Sequence, residues 1–375
     1  MFAEDVQCET NKIELLFIDE TFPGVFSNFI DFLLERNNQK TDYGSVVDYN
    51  ITFVSEKVHP YSSYCGVTII SPEEHREMSF EESQKNIFGM LLQLKFQSKS
   101  NPNIIFVNSK NGMYVVNVYP NIPIIGYFDK YYPAIASDVT ELIEFGVRNK
   151  FADYLTKYCS ICLTGSRLQR NLYPIEMRTK ILVKNSGINT KFFSGFDNQE
   201  RSAKNILYIV DDVRDNYFDV FLQIVKKMES YNFFVLTKNS CNIENIENIS
   251  NIEIFYDLSD DNRKKMYTNT TLLLYLNRGV LVSKNLLEAI CCQTPILTSS
   301  DLSTCEFIGD YKNTFSISEI KTIEDLVDLI EKQIDNSNSQ NFKQELSSLQ
   351  QKIIQQYDRE SYNNFINDVM MKLID

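Results

Sequence analysis

The chain has 375 residues, 43% hydrophobic and 23% charged, which is enough for two or three domains with cores of their own and no need of disulfides or a metal to fold. Acidic residues outnumber basic ones, 50 to 37, for a formal charge of −13, and this argues against the broad basic face of a nucleic-acid-binding protein. Glycine is scarce, 12 in all where average usage is ~7%, so glycine-rich phosphate loops are few.

No run of about 20 apolar residues occurs, so no transmembrane helix is predicted, and the acidic start Met1-Phe2-Ala3-Glu4-Asp5 does not read as a secretory signal. Eight scattered cysteines suit reduced thiols in a cytoplasm. Peripheral attachment at the inner membrane face stays open, with Arg148, Lys150 and Lys157 as a modest basic cluster.

Short apolar runs alternate with loops and amphipathic stretches, the pattern of βα units and parallel sheets. In chain order, strands are predicted at 13–19, 50–55, 66–70, 104–108, 122–128, 161–164 and 180–184, with helices at 82–96 and 138–156. Cys159 and Cys162 have CxxC spacing inside an apolar run. No second pair stands nearby, so burial is expected there rather than metal or redox chemistry. A polar joint at 192–202 follows, and the pattern restarts with strands at 205–210, 233–237, 252–256, 271–276 and 295–298. Helices are predicted at 217–230 and 286–292, with a short segment at 305–309. Long helical stretches close the chain at 322–335 and 342–373, the second broken near Asp358. The Asn-Ile-Glu repeats of 242–254 read as a surface connection. The architecture predicted is α/β, with two Rossmann-like domains at 1–190 and 191–357 facing across a cleft. The tail 358–375 carries Tyr362, Phe365, Ile366, Val369, Met370 and Leu373 at helical spacing, an apolar stripe to be packed away.

Five segments, in order along the chain, resemble bacterial glycosyltransferases of family four. They are 16–26 with Phe22-Pro23-Gly24, 122–132 with Gly126-Tyr127-Phe128, and 162–170 with Gly165-Ser166-Arg167. Next come Asn185-Ser186-Gly187-Ile188-Asn189-Thr190, and then 274–277 together with Leu286-Leu287-Glu288-Ala289-Ile290. The match is weakest over 31–100 and 205–260. The resemblance implies the GT-B fold, with a C-terminal helix crossing back to the first domain. It implies transfer from a nucleotide diphosphate-sugar, without metal or other cofactor and most often with retention.

On the donor side the resemblance places Glu288 at the ribose hydroxyls. Read from residues alone, Glu288 is a solvated charge partly off the apolar face of its helix. Gly279, before that helix, permits close backbone approach, and the helix N-terminus suits a diphosphate. Ser283 either caps the helix or touches the donor. Leu287 belongs to the same motif. The chain departs from the family at 211–214, where Asp211 and Asp212 stand in place of diphosphate-binding cations and Arg214 is the only base near. A lost charge-assisted bond there costs about 1.5–3 kcal/mol.

On the acceptor side stand Gly24, Tyr127 and Arg167, with Arg170 near. Asp129 is the catalytic candidate, at the C-terminal end of a strand, where a carboxylate orients or deprotonates an acceptor hydroxyl. Turn formation, strand-end capping and solvation are the competing explanations for these residues. The only histidines, His59 and His75, fall on no matched motif.

The expected function is transfer of a sugar to a glycan, lipid-linked saccharide or protein. The alternative is a catalytically degenerate homologue serving as a binding or chaperone subunit of a partner glycosyltransferase. An NAD enzyme is disfavoured, since GxGxxG is missing.

Overall fold

The structure, a computed structural model, describes residues 12–19, 26–38, 48–72, 80–98, 100–108, 114–128, 139–194, 204–210, 217–237, 249–276, 283–300, 302–309, 311, 313–316, 319–337 and 339–374. It divides into two units, Met1–Ser186 with Tyr362–Asp375, and Gly187–Ser361.

The first unit runs β1 (Lys12–Asp19), α1 (Ser27–Asn38), β2 (Asp48–Ser55), β3 (Ser63–Tyr64), β4 (Val67–Ile70), α2 (Phe80–Gln97), β5 (Ile104–Asn108), α3 (Val115–Val118), β6 (Ile124–Tyr127), α4 (Val139–Tyr158), β7 (Ile161–Thr164), α5 (Arg167–Leu172), α6 (Ile175–Arg178) and β8 (Ile181–Val183). The strands lie in the order β3-β4-β2-β1-β5-β6-β7-β8, all parallel except β3 against β4. β1 and β5 are buried along nearly their whole length, which is why they read as apolar runs rather than as alternating strands. On one face Phe17 stacks on Phe106 at 4.5 Å and Phe29 packs beside them. The other face holds Leu16, Ile18, Leu91, Val107 and Leu155.

The second unit runs α7 (Thr190–Ser194), β9 (Asn205–Val210), α8 (Phe218–Lys227), β10 (Asn232–Thr237), β11 (Ile252–Tyr256), α9 (Asp260–Asn269), β12 (Leu272–Tyr275), α10 (Lys284–Cys291), β13 (Ile296–Ser299), α11 (Leu302–Ile308), β14 (Thr314–Phe315), α12 (Ile323–Asn336) and α13 (Gln340–Gln356). Its sheet is parallel, in the order β11-β10-β9-β12-β13-β14. The order reverses between β9 and β12, and the C-terminal ends of the strands at such a reversal are where doubly wound folds bind ligands.

The final helix, α14 (Arg359–Ile374), follows the break predicted near Asp358. Its stripe of Tyr362, Ile366 and Met370 is buried in the core of the first unit, so the tail crosses back as expected. Asn363 Nδ2 donates to the Asn28 carbonyl at 3.1 Å, fixing α14 against α1.

Most predicted strands are present within a residue or two. The predicted elements omit α1, α3, α6, α7, α9, β3 and β14. The short ones carry too little pattern to read. α9, Asp-Asp-Asn-Arg-Lys-Lys-Met-Tyr-Thr-Asn, has only Tyr267 buried and therefore no apolar stripe. Cys159 directly follows α4 and Cys162 lies inside β7, and burial, followed by the Cys162 hydrogen bond, pushes the Cys159 thiol well above its ordinary range.

The stretch 187–190 belongs to the second unit because it pairs with the start of the tail. Ile188 N donates to the Tyr357 carbonyl at 2.8 Å, and Arg359 N donates to the Ile188 carbonyl at 2.9 Å. Gly187 lies at φ +70°, and a Cβ there would sit 2.6 Å from the Tyr357 oxygen and 2.8 Å from Arg359 N, all rigid backbone. Gly187→Ala is therefore expected to destabilise the fold by about 1–3 kcal/mol. A denaturation midpoint equal to wild type would show that this crossing is not tightly packed.

Candidate functional site

At the C-terminal ends of β10 and β11 lies a cavity of about 250 Å³, lined by Leu236, Thr237, Asp257, Leu258, Arg263, Lys284 and Asn285. Leu236 and Thr237 end β10. Asp257 and Leu258 follow β11, with Asp257 in the left-handed region at φ +44°, a conformation aspartate tolerates better than most residues. Lys284 and Asn285 open α10.

α10 begins here for a local reason. Ser283 is extended and its Oγ accepts the Leu286 N–H at 3.1 Å, which satisfies one otherwise unpaired donor. Every residue from Asn285 to Cys291 is buried. Leu287 faces the core beside Leu286 and Ile290, so its side chain makes a packing contact.

Glu288 departs from the solvated reading altogether, since it is 0% exposed. Its Oε2 accepts from Arg263 Nε at 2.9 Å and from the Tyr267 hydroxyl at 3.2 Å. Its Oε1 accepts from Arg263 Nη2 at 3.2 Å, with Lys284 Nζ 4.0 Å away. Arg263 also donates from Nη1 to the Leu258 carbonyl at 2.7 Å and from Nη2 to Asp260 Oδ1 at 2.6 Å. Burial tends to lower the Arg263 pKa, but the hydrogen bond and charge of Glu288 outweigh it and carry the value up. Tyr267 is pushed well above the ordinary tyrosine range, first by burial and then by Glu288, so it stays a neutral donor. Burial, with Glu288 second, lifts the Cys291 thiol to about 12 and leaves it inert.

In the first unit, Tyr127 ends β6 and Arg167 opens α5 just beyond β7, so both stand at the C-terminal end of adjacent strands. Tyr127 is 7% exposed, its ring edge-on to Phe26 at 6.4 Å, and so is mainly a core residue. Arg167 is exposed, behind the cap that Ser166 Oγ makes to Gln169 N. Gly24, Asp129, Arg214 and Gly279 lie outside the described residues. The structure places Ser283 at the cap of α10 and Glu288 further along the same helix, neither of them lining the cavity. It adds Arg263, Tyr267, Lys284 and Asn285, which no motif in the sequence singles out. The one local signal is Ser259-Asp260-Asp261, a cap followed by an acidic first turn; Ser259 Oγ indeed accepts from Asn262 N at 3.4 Å.

Comparison with known families agrees with this geometry. Residues 73–193 match the glycosyl transferase family 4 group, and residues 192–348 match glycosyl transferases group 1. The chain belongs to the glycosyltransferases of the family-four type. It is a glycosyltransferase with the GT-B fold. No curated protein matches it by sequence.

Solved structures resemble it across nearly its full length. A glycosyltransferase from Rickettsia africae is 12% identical with a TM-score of 0.67, covering 97% of this chain and 99% of that one. HepE of Anabaena, in complex with UDP, is 10% identical with a TM-score of 0.69, over 96% and 100%. A sucrose-phosphate synthase from Thermosynechococcus elongatus is 10% identical with a TM-score of 0.70, over 96% and 99%. At such identities the likeness is one of fold. Among the described residues, no helix of this glycosyltransferase is long and apolar enough to cross a membrane.

Removing one partner of a buried ion pair strands the other, at a cost of about 3–5 kcal/mol. Glu288→Ala is expected to destabilise the protein by that order, whereas Ser283→Ala, which loses only a cap, costs about 1 kcal/mol. Denaturation of the two variants side by side checks this. Equal losses would mean that the Glu288 pair contributes no more than a cap.

Proposed function

We propose that this glycosyltransferase takes a sugar from a nucleotide diphosphate-sugar and passes it to a glycan, lipid-linked saccharide or protein acceptor with retention of configuration. The observation that carries the reading is the cavity at the strand ends of the second sheet, lined by Lys284 and Asn285 of the capped first turn of α10 and by Arg263, the partner of the buried Glu288 carboxylate. Its volume, about 250 Å³, is below the roughly 300–1,000 Å³ of sites that enclose a whole drug-sized ligand, and suits the nucleoside end of a donor. UDP in the complex of the structurally similar HepE supports a uridine nucleotide.

In this reading the nucleoside lies against Thr237, Leu258 and Asn285, and its ribose lies over Glu288. The diphosphate is held by Arg214 and by backbone N–H groups near Gly279 and the α10 N-terminus, which stabilise leaving-group charge without a metal. The acceptor is held by the first unit, with Gly24, Tyr127 and Arg167 as contacts and Asp129 orienting its hydroxyl. The new bond forms between the acceptor oxygen and the anomeric carbon on the face that the phosphate leaves. The bond from that carbon to the phosphate oxygen breaks, and the acceptor proton passes to the departing phosphate. The chemistry then asks mostly for positioning.

The sequence at 211–214, two carboxylates and one arginine, favours a second reading as a binding subunit of an active transferase. Calorimetric titration of UDP and GDP into wild type and Glu288→Gln separates the two. One nucleotide is expected to bind, and the substitution to weaken it about tenfold, or 1.4 kcal/mol. A folded wild-type protein that binds neither at millimolar concentration would overturn the donor reading and leave the second.

A further inference from the structure

We infer that Arg263 is a positioning residue of the donor site, acting through Glu288 to set the discrimination of ribose hydroxyls. This inference rests on the reading of the cavity as the nucleoside seat.

Glu288 has about four acceptor positions on its two oxygens. Among the described residues three are taken, by Arg263 Nε, Arg263 Nη2 and the Tyr267 hydroxyl. The remaining position is on Oε1. Besides Arg263, the cation beside Oε1 is Lys284, half exposed, 4.0 Å away and itself lining the cavity. Glu288 itself is 0% exposed and does not line the cavity, so on this inference a ribose hydroxyl reaches Oε1 only once Lys284 moves aside, with Arg263 left in place.

Arg263 is not positioned to move. Four of its five N–H groups are bonded, two to Glu288, one to the Leu258 carbonyl on the cavity wall and one to Asp260. One planar guanidinium thus fixes the carboxylate of α10 and the wall after β11 in a single geometry. A lysine carries the charge but not the fork. The placement on α9 is specific as well. Arg263 and Tyr267 stand four residues apart, on the helix face turned to α10, in an otherwise polar helix. Without Arg263, Glu288 keeps one hydrogen-bonding partner, Tyr267, and the direction of its open lone pair is no longer set.

The test uses UDP, 2′-deoxy-UDP, 3′-deoxy-UDP and inorganic pyrophosphate as probes in calorimetry of wild type, Arg263→Lys and Arg263→Met. Wild type is expected to prefer UDP over at least one deoxy analogue by about tenfold, or 1.4 kcal/mol. Arg263→Met is expected to reduce that preference to below about threefold without changing pyrophosphate affinity, and Arg263→Lys to fall between. A lack of hydroxyl preference in wild type, an unchanged preference in Arg263→Met, or equal losses for UDP and pyrophosphate would each overturn the inference. If neither variant folds, by thermal melt, the arginine is structural and the inference also falls. If wild type binds no UDP but binds GDP, the deoxy series of GDP replaces that of UDP and is read the same way. If it binds neither, the nucleoside reading itself is overturned, and this inference with it.

Discussion

A carboxylate taken wholly out of water costs several kcal/mol, and it persists only where charge and hydrogen bonds replace the lost solvent. Glu288 meets that condition through one arginine and one tyrosine of a neighbouring helix. Much of the second unit is arranged around this requirement. α9 must present Arg263 and Tyr267 to α10, and the strand-end loop must bring the Leu258 carbonyl to the same guanidinium. The wall of the cavity is therefore tied to the helix that carries the acid.

The same network ties several elements of the second unit together. Tyr267 is fully buried and held between Asn285 and Glu288. Thr294 Oγ1 donates to the Tyr267 carbonyl at 3.0 Å, which ties the end of α9 to the turn after α10. Gln350 of α13 donates to the Cys291 carbonyl, so the C-terminal end of α10 is anchored too. A helix fixed at its cap, along its length and at its end holds its first turn in place, and preorganised donors act on a ligand without the cost of reorganisation.

The first unit is built on a different constraint. Its sheet is wide and flanked on both faces, and part of one face is covered by a helix from the far end of the chain. Tyr362, Ile366 and Met370 of α14 share one buried core with Phe29 and Phe106. The return of the tail is thus a matter of completing a core. Its apolar stripe is legible in the sequence because a helix that buries one face must repeat its apolar residues at helical spacing.

What the sequence determined by itself is what depends on local pattern: the parallel strands as apolar runs, the two-unit α/β architecture, the break at Asp358 and the motif order that marks the family. The motif also draws attention to Glu288, though helix periodicity alone makes it a solvated charge. A count of apolar neighbours on one helix cannot show that a residue 25 positions upstream supplies the counter-charge. Arg263 and Tyr267 are invisible in the sequence because α9 is polar almost throughout, and polar helices carry no periodic signal. Leu287 looks like part of a site because it sits in a motif, yet in the fold its side chain makes a packing contact. Only the tertiary structure could decide these points, because burial and pairing of charge arise between elements distant in sequence, and no local spacing encodes them.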